Sequence, residues 1–219
     1  MEAKHELAKL LNENFRAAVD YHMVQTYSSE GYDRLVMRAG TDDEDAIYFA
    51  AKAECKNFIR RCRRACKKAG IEFRYAFVTS DRDGDTLEPV RVHHHLVVNA
   101  EAAAICIEKW MEGEVRKPKE LYGDKYGDLT ALAEYMIAQV RYFPGEKRYT
   151  PSRNLRKVEP GALIKARNPE AELRVPKGCK LIYRSENYVG RPQYVRYYRP
   201  KADKLREAKG QNGRVKQNE

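Results

Sequence analysis

The sequence predicts an α+β protein, an antiparallel sheet with helices packed on one face. Two neighbouring strand candidates, FRYAFVTS (73–80) and PVRVHHHLVVNA (89–100), are joined by the turn signal DRDGD (81–85). Long amphipathic segments flank them, and the elements follow the order β-α-β-β-α-(β)-α-β-β, which suits helices laid on an antiparallel sheet.

Residues 3–17 read as a short helix and YHMVQTY (21–27) as a first strand. Tyr32 to Asp45 reads as polar and irregular. A long helix is predicted over 43–69, with Ile47, Ala50, Ala51, Cys55, Phe58, Cys62 and Cys66 on its apolar side and a cationic run from Arg60 to Lys68 on the other. Gly70 stands where a helix stop is expected. After the two central strands, Gly84 supplies the flexible position of the turn between them, EAAAICIEKW (101–110) reads as a helix, and a segment near Val115 as extended. LTALAEYMIAQVRY (129–142) is a second strong helix. FPGEKRYTPSRNLRKVEPG is loop-like, CKLIYRS (179–185) and QYVRYY (193–198) are late strands, and the last twenty residues are a polar tail. Residues 1–200 are therefore expected to form one domain and 201–219 a flexible extension. A ferredoxin-like or split-βαβ core is the natural arrangement for this order.

Net charge is +10 over 219 residues, which favours a polyanionic partner, nucleic acid first. The N-terminus is charged and carries no apolar run of signal-peptide type, and no stretch is apolar enough to span a membrane, so a soluble, intracellular protein without a membrane partner is expected. The five cysteines form no regular framework. Cys55, Cys62 and Cys66 share one helix face, where packing is a better account than zinc. No phosphate-binding G-x-x-x-x-G-K-[ST] loop occurs, so no ATP-driven motor is attached.

The strand VRVHHHLVVN carries the sharpest chemical signal. Side chains alternate along a strand, so Val90, Val92, His94, Leu96 and Val98 share one face and Arg91, His93, His95, Val97 and Asn99 the other. The first face should pack on helices, with His94 a core histidine held by a hydrogen bond. The second presents His93 and His95 about 7 Å apart, close enough to chelate one ion. Imidazole is the commonest metal ligand, and two with a carboxylate suit Mn²⁺ or Mg²⁺ with positions left open for phosphate oxygens.

With these residues the chain resembles the HUH endonucleases, and more closely the rolling-circle replication (Rep) proteins of small phages and plasmids. In that family two histidines flanking a usually hydrophobic residue bind a divalent cation; His93-His94-His95 matches if histidine is accepted in the middle. YHMVQTY is similar to the family's first strand, LAEYMIAQ to its nucleophile helix, and KRYTPSRNL to a segment that follows that helix, so the likeness spans about residues 20–155. It implies an acidic third metal ligand near the end of the preceding strand. Ser80 stands at that place, Asp81 is the choice, and Asp83 and Glu88 compete, each equally able to serve as a turn carboxylate.

The resemblance also implies a tyrosine nucleophile. Leu129, Leu132, Met136 and Val140 form the helix stripe, with Tyr135, Gln139 at i+4 and Tyr142 at i+7 on its flank. Tyr135 is the expected nucleophile and Tyr142 the reserve. A phenol, with a pKa near ~10, needs a neighbouring cation to act at neutral pH. Attack on phosphate would leave a 5′-phosphotyrosine and a free 3′-hydroxyl. Where relatives carry a cation three residues after the nucleophile, this chain has Ala138, and Gln139 or Arg141 would have to substitute. Beyond the helix, Lys147, Arg148, Tyr149, Arg153 and Asn154 offer cations for phosphate and an aromatic ring for a base.

The function these expectations describe is a metal-dependent single-strand DNA nickase initiating rolling-circle replication from an origin or hairpin, in the cytoplasm of a bacterial host, with a host helicase as a further partner. A relaxase or a transposase would use the same chemistry. A non-catalytic nucleic-acid-binding module would instead need aromatic residues on the exposed sheet face, and a purely structural metal site a closed ligand set.

Overall fold

The computed structural model describes residues 3–157, 171–185 and 194–199. Contacts gather into two compact units, Met1–Glu159 and Pro160–Glu219, rather than one domain over 1–200, and the polar tail lies outside the described residues.

In the first unit the elements are α1 (Ala3–Asn14), β1 (Tyr21–Tyr27), α2 (Ser29–Ala39), α3 (Glu44–Ala69), β2 (Tyr75–Arg82), β3 (Pro89–Val98), α4 (Ala100–Lys109), β4 (Gly113–Glu120), α5 (Thr130–Ala138) and β5 (Thr150–Pro151). The strands form one open antiparallel sheet in the order β4-β1-β3-β2-β5. The β2–β3 hairpin expected from the turn signal is present, with Val78 opposite His95 and Ser80 opposite His93. In the second unit β6 (Lys180–Arg184) pairs antiparallel with β7 (Val195–Tyr198), as the two late apolar runs suggested.

Within the stretch 32–45, residues 32–39 are helical and only the short link 40–43 between two helices is irregular. Ser28 accepts from the Gly31 amide and starts α2, and Gly40 ends it in the left-handed conformation. The segment reads as polar because few of its side chains are buried, Leu35 chief among them. The long helix α3 begins at Asp43, whose carboxylate accepts from the Ala46 amide, and stops at Gly70, also left-handed. Helix α5 ends at Ala138, four residues short of the expected end, with Gln139 as its cap.

Helices cover both faces of the sheet, not one. On the first face Met23, Phe77, Leu96 and Val98 pack with Leu35 of α2, Phe58, Cys62 and Cys66 of α3, and Cys106 of α4. On the other, Ala76, Val78 and Val97 pack with Leu7 and Leu11 of α1 and Ala133, Met136 and Ile137 of α5. The reason is visible in β2, buried on both sides over Tyr75–Asp81: a strand apolar on both faces needs cover on both. Burying a large side chain such as Phe58, Phe77 or Leu96 contributes about 1.5–3 kcal/mol. The cysteines of α3 are free, buried packing residues, as their spacing suggested.

Two buried carboxylates fasten α2 to its neighbours. Arg38 donates to Glu54 at 2.7 Å and to Glu112 at 3.0 Å, Arg34 reaches Glu112 at 2.9 Å, and Arg61 reaches Glu54 at 3.0 Å.

Candidate active site

Because paired residues in a sheet share a face, the register sets the site. β1 lays Val24 opposite His95 and Thr26 opposite His93, and brings His22 to the same face. The face bearing His93 and His95 is the one α5 covers, so Tyr135 meets them. The rings of Tyr135 and His95 stand edge to face with centroids 5.5 Å apart, and Tyr135 also meets His22 edge-on at 6.5 Å. His93, His95, Tyr135 and Gln139 line a single cleft of about 470 Å³, with Arg82, Arg91 and Arg116 around it.

Three acceptor-capable atoms converge within this cleft. His93 Nε2 and His95 Nε2 are 3.2 Å apart, and Gln139 Oε1 lies 3.2 Å from His95 Nε2. Two of the three are oriented from behind. His93 Nδ1 sits 3.1 Å from the Arg91 carbonyl, which can only accept, so Nδ1 carries the proton and Nε2 is bare. The Gln139 amide donates its NH₂ to the Tyr135 carbonyl at 2.9 Å, which turns Oε1 inward. His95 Nδ1 lies 3.1 Å from His22 Nε2.

Burial keeps these imidazoles neutral. It lowers His95 to about 2, helped by the facing His22 and His93. It lowers His22 to about 4, with Lys119 on β4 adding to the effect. It also lowers His93, and there Arg116 works in the same direction. Neutral imidazole is the ligating form.

The middle histidine belongs to the other face. His94 is fully buried, Tyr27 Oη is 2.9 Å from its Nε2 and Thr79 Oγ1 is 3.0 Å from its Nδ1. The expectation of a hydrogen-bonded core histidine is met.

Asp81 does not line the cleft of His93 and His95, although its charge acts on His93. One of its carboxylate oxygens meets Arg141 at 2.5 Å, the other is buried without a hydrogen-bond partner, and the residue lines a separate cleft with Tyr48, Glu44 and Val92. The register shift between Ser80 and Arg82 frees this end of β2 from strict pairing. The Ser80 hydroxyl, on the histidine face, donates to the Gln139 carbonyl at 2.9 Å and so holds the end of α5. Asp83 lines the histidine cleft, but one of its carboxylate oxygens accepts from the Asp85 and Thr86 amides and the Thr86 hydroxyl, which makes it a turn carboxylate.

Arg141 is likewise committed, to Asp45 and Glu44 at the start of α3 as well as to Asp81, and its guanidinium is not a free phosphate contact. Tyr142 lies beyond the end of α5 and lines a different cleft with Leu87 and Phe143, so it does not share the flank of Tyr135. Arg148 donates to the Ile137 carbonyl at the end of α5, Tyr149 packs half-buried against the core that α1 and α5 share, and Asn154 donates to Glu72. Lys147 and Arg153 are exposed.

Three contributors were missed from sequence. His22 shows only the alternation of YHMVQTY, and nothing in that pattern says which strand it will face. Arg116 reaches the cleft from the edge strand β4. Gly84 does not serve through a left-handed φ; the positive φ of its loop is at Leu87. It serves by close approach, since a Cβ there would stand 2.5 Å from the Tyr135 hydroxyl oxygen.

Fold and site define an α+β protein with helices around an open antiparallel sheet and one cleft where neutral histidines meet a tyrosine. No family model, curated protein or solved structure matches the chain. No helix among the described residues is long and apolar enough to cross a membrane.

Proposed function

We propose that the protein is a metal-dependent endonuclease that cuts single-stranded DNA with Tyr135 as nucleophile and initiates rolling-circle replication. The observation that carries the reading is the convergence of His93 Nε2, His95 Nε2 and Gln139 Oε1 in the cleft that Tyr135 lines. With His95 protonated on Nδ1, all three atoms present lone pairs to one point, the arrangement a divalent cation would take. In this reading the Gln139 amide oxygen, 3.2 Å from His95 Nε2, serves as the third ligand in place of the Asp81 carboxylate expected from the sequence. Two imidazoles and one amide oxygen leave coordination positions open, as Mn²⁺ or Mg²⁺ acting on phosphate requires. The bound ion would polarise the scissile phosphate and favour the phenolate.

The chain's own residues do the rest. Tyr135 Oη attacks phosphorus, the P–O3′ bond breaks, and the 3′-hydroxyl leaves with a proton while the 5′-phosphate stays on the tyrosine. Arg82, Arg91 and Arg116 supply cations around the cleft for neighbouring phosphates. The order β4-β1-β3-β2, with α2 and α3 between β1 and β2 and α4 between β3 and β4, supports reading the core as ferredoxin-like. A cytoplasmic role on a phage or plasmid element, with a host helicase, follows from this reading. A non-catalytic binding module fits less well, because histidines and arginines line the cleft rather than a row of exposed aromatic rings.

The test is incubation with Mn²⁺ and labelled single-stranded origin or hairpin DNA. A protein–DNA adduct that survives denaturation is expected. It should vanish in Tyr135→Phe, and cleavage should vanish in His93→Ala while salt-sensitive binding persists. An adduct that forms equally in Tyr135→Phe rules out this nucleophile.

A further inference from the structure

His22 is not accounted for by the nuclease reading, yet it is built against the site. It stands on β1 at the position paired with Val97, one step along the face from Val24, the partner of His95. Its ring and that of His95 are coplanar to within 2°, with centroids 5.2 Å apart and Nε2 to Nδ1 at 3.1 Å. A short N···N contact with such widely separated centroids means the rings meet edge to edge, in the geometry of an N–H···N hydrogen bond rather than a face-to-face stack.

One proton must lie between these two nitrogens, and its owner decides what His95 can do. If it belongs to His22, the proton of neutral His95 sits on Nε2, points into the cleft towards Gln139 Oε1, and blocks ligation. If it belongs to His95 Nδ1, His22 Nε2 is the acceptor and His95 Nε2 is bare. Ligating histidines generally give their second N–H to a carboxylate, a carbonyl or water; here another imidazole occupies that place.

We infer that His22 is a positioning residue: by accepting the Nδ1–H of His95 it holds that ring in the tautomer and orientation that present Nε2 to the metal. The inference rests on the metal site proposed above. It predicts that the acceptor, and not the ring as such, is what matters at position 22.

The experiment is calorimetric titration of Mn²⁺ into the metal-free full-length protein, wild type beside His22→Phe and His22→Gln. His22→Phe keeps a planar ring without an acceptor and should weaken binding about 10- to 100-fold. His22→Gln, whose Oε1 can accept, should recover most of that loss. Nitrogen-15 spectra of the Mg²⁺-loaded wild type provide a readout that needs no substitution: His22 should carry its proton on Nδ1. Equal affinity in His22→Phe, equal loss in both variants, or a proton on Nε2 of His22 each overturns the inference while leaving the metal site standing. Wild-type protein that binds no Mn²⁺ overturns the metal site itself, and the inference with it.

Discussion

Gly84 has no room for a side chain, because the phenol of Tyr135 fills the space a Cβ would take. Its φ is not in the left-handed region, so alanine is not strained there by the backbone and the effect is confined to the tyrosine. Under the nuclease reading, Gly84→Ala should slow single-strand cleavage about 100-fold, the scale of a 1 Å misplacement. It should change unfolding stability by less than about 1 kcal/mol, and comparing cleavage rate with urea unfolding checks both. The buried histidines set a pH dependence. Burial depresses His22 to about 4, His94 to about 3 and His95 to about 2 from 6.5, so the unfolded chain takes up protons that the folded one refuses. The stability they contribute is whole above pH 6.5, declines below it, and is gone once the pH has fallen through those lowered values. Metal-free protein near pH 5 should therefore take up about three protons on unfolding from these groups, read as the slope of stability against pH. A flat profile between pH 7 and 5 contradicts the burial of these rings.

Helix α5 is the element on which the site depends. Its C-terminal turn carries Tyr135 and Gln139, and it is held by the Ser80 hydroxyl on the Gln139 carbonyl and by Arg148 on the Ile137 carbonyl. Asp81 belongs to the neighbouring ion-pair cluster with Arg141 and the start of α3. The two residues should therefore separate by experiment. Gln139→Ala should weaken Mn²⁺ binding at least about tenfold, whereas Asp81→Asn should cost stability by loosening Arg141 and leave Mn²⁺ affinity close to wild type. The reverse pattern in titrations restores the carboxylate as ligand. On the other side of the sheet, Glu54 gathers Arg38 and Arg61 while itself buried. Glu54→Ala should destabilise the protein by about 2 kcal/mol, the range for losing charged hydrogen bonds, measured by urea unfolding. The arginines' partial exposure keeps the figure below that of a fully buried pair.

At the scale of the whole molecule, every residue lining the histidine cleft lies within the unit Met1–Glu159. A chain ending at Glu159 should fold cooperatively and bind Mn²⁺ like the full-length protein; loss of binding in a folded truncation would assign residues 160–219 a part in the site. Two layers of helices matter to function as much as to stability. With all helices on the face of His94, Tyr135 would have been separated from His93 and His95 by the sheet. Cover on both faces removes that conflict, since α1 and α5 leave the larger core to α2, α3 and α4.

Local pattern alone determined much of this. The hairpin of β2 and β3, the long helix stopping at Gly70, the packing role of the cysteines, and the division of His93 and His95 from His94 follow from period, turn chemistry and alternation, which act over a few residues. Which element covers which face is a long-range matter. The pairing of β1 with β3 brought His22 to His95, α5 settled on the histidine face, and Arg141 drew Asp81 away while Gln139 took the place beside His95. Periodicity states which side chains travel together; only the closing of the sheet and the burial of both its faces decides what they meet.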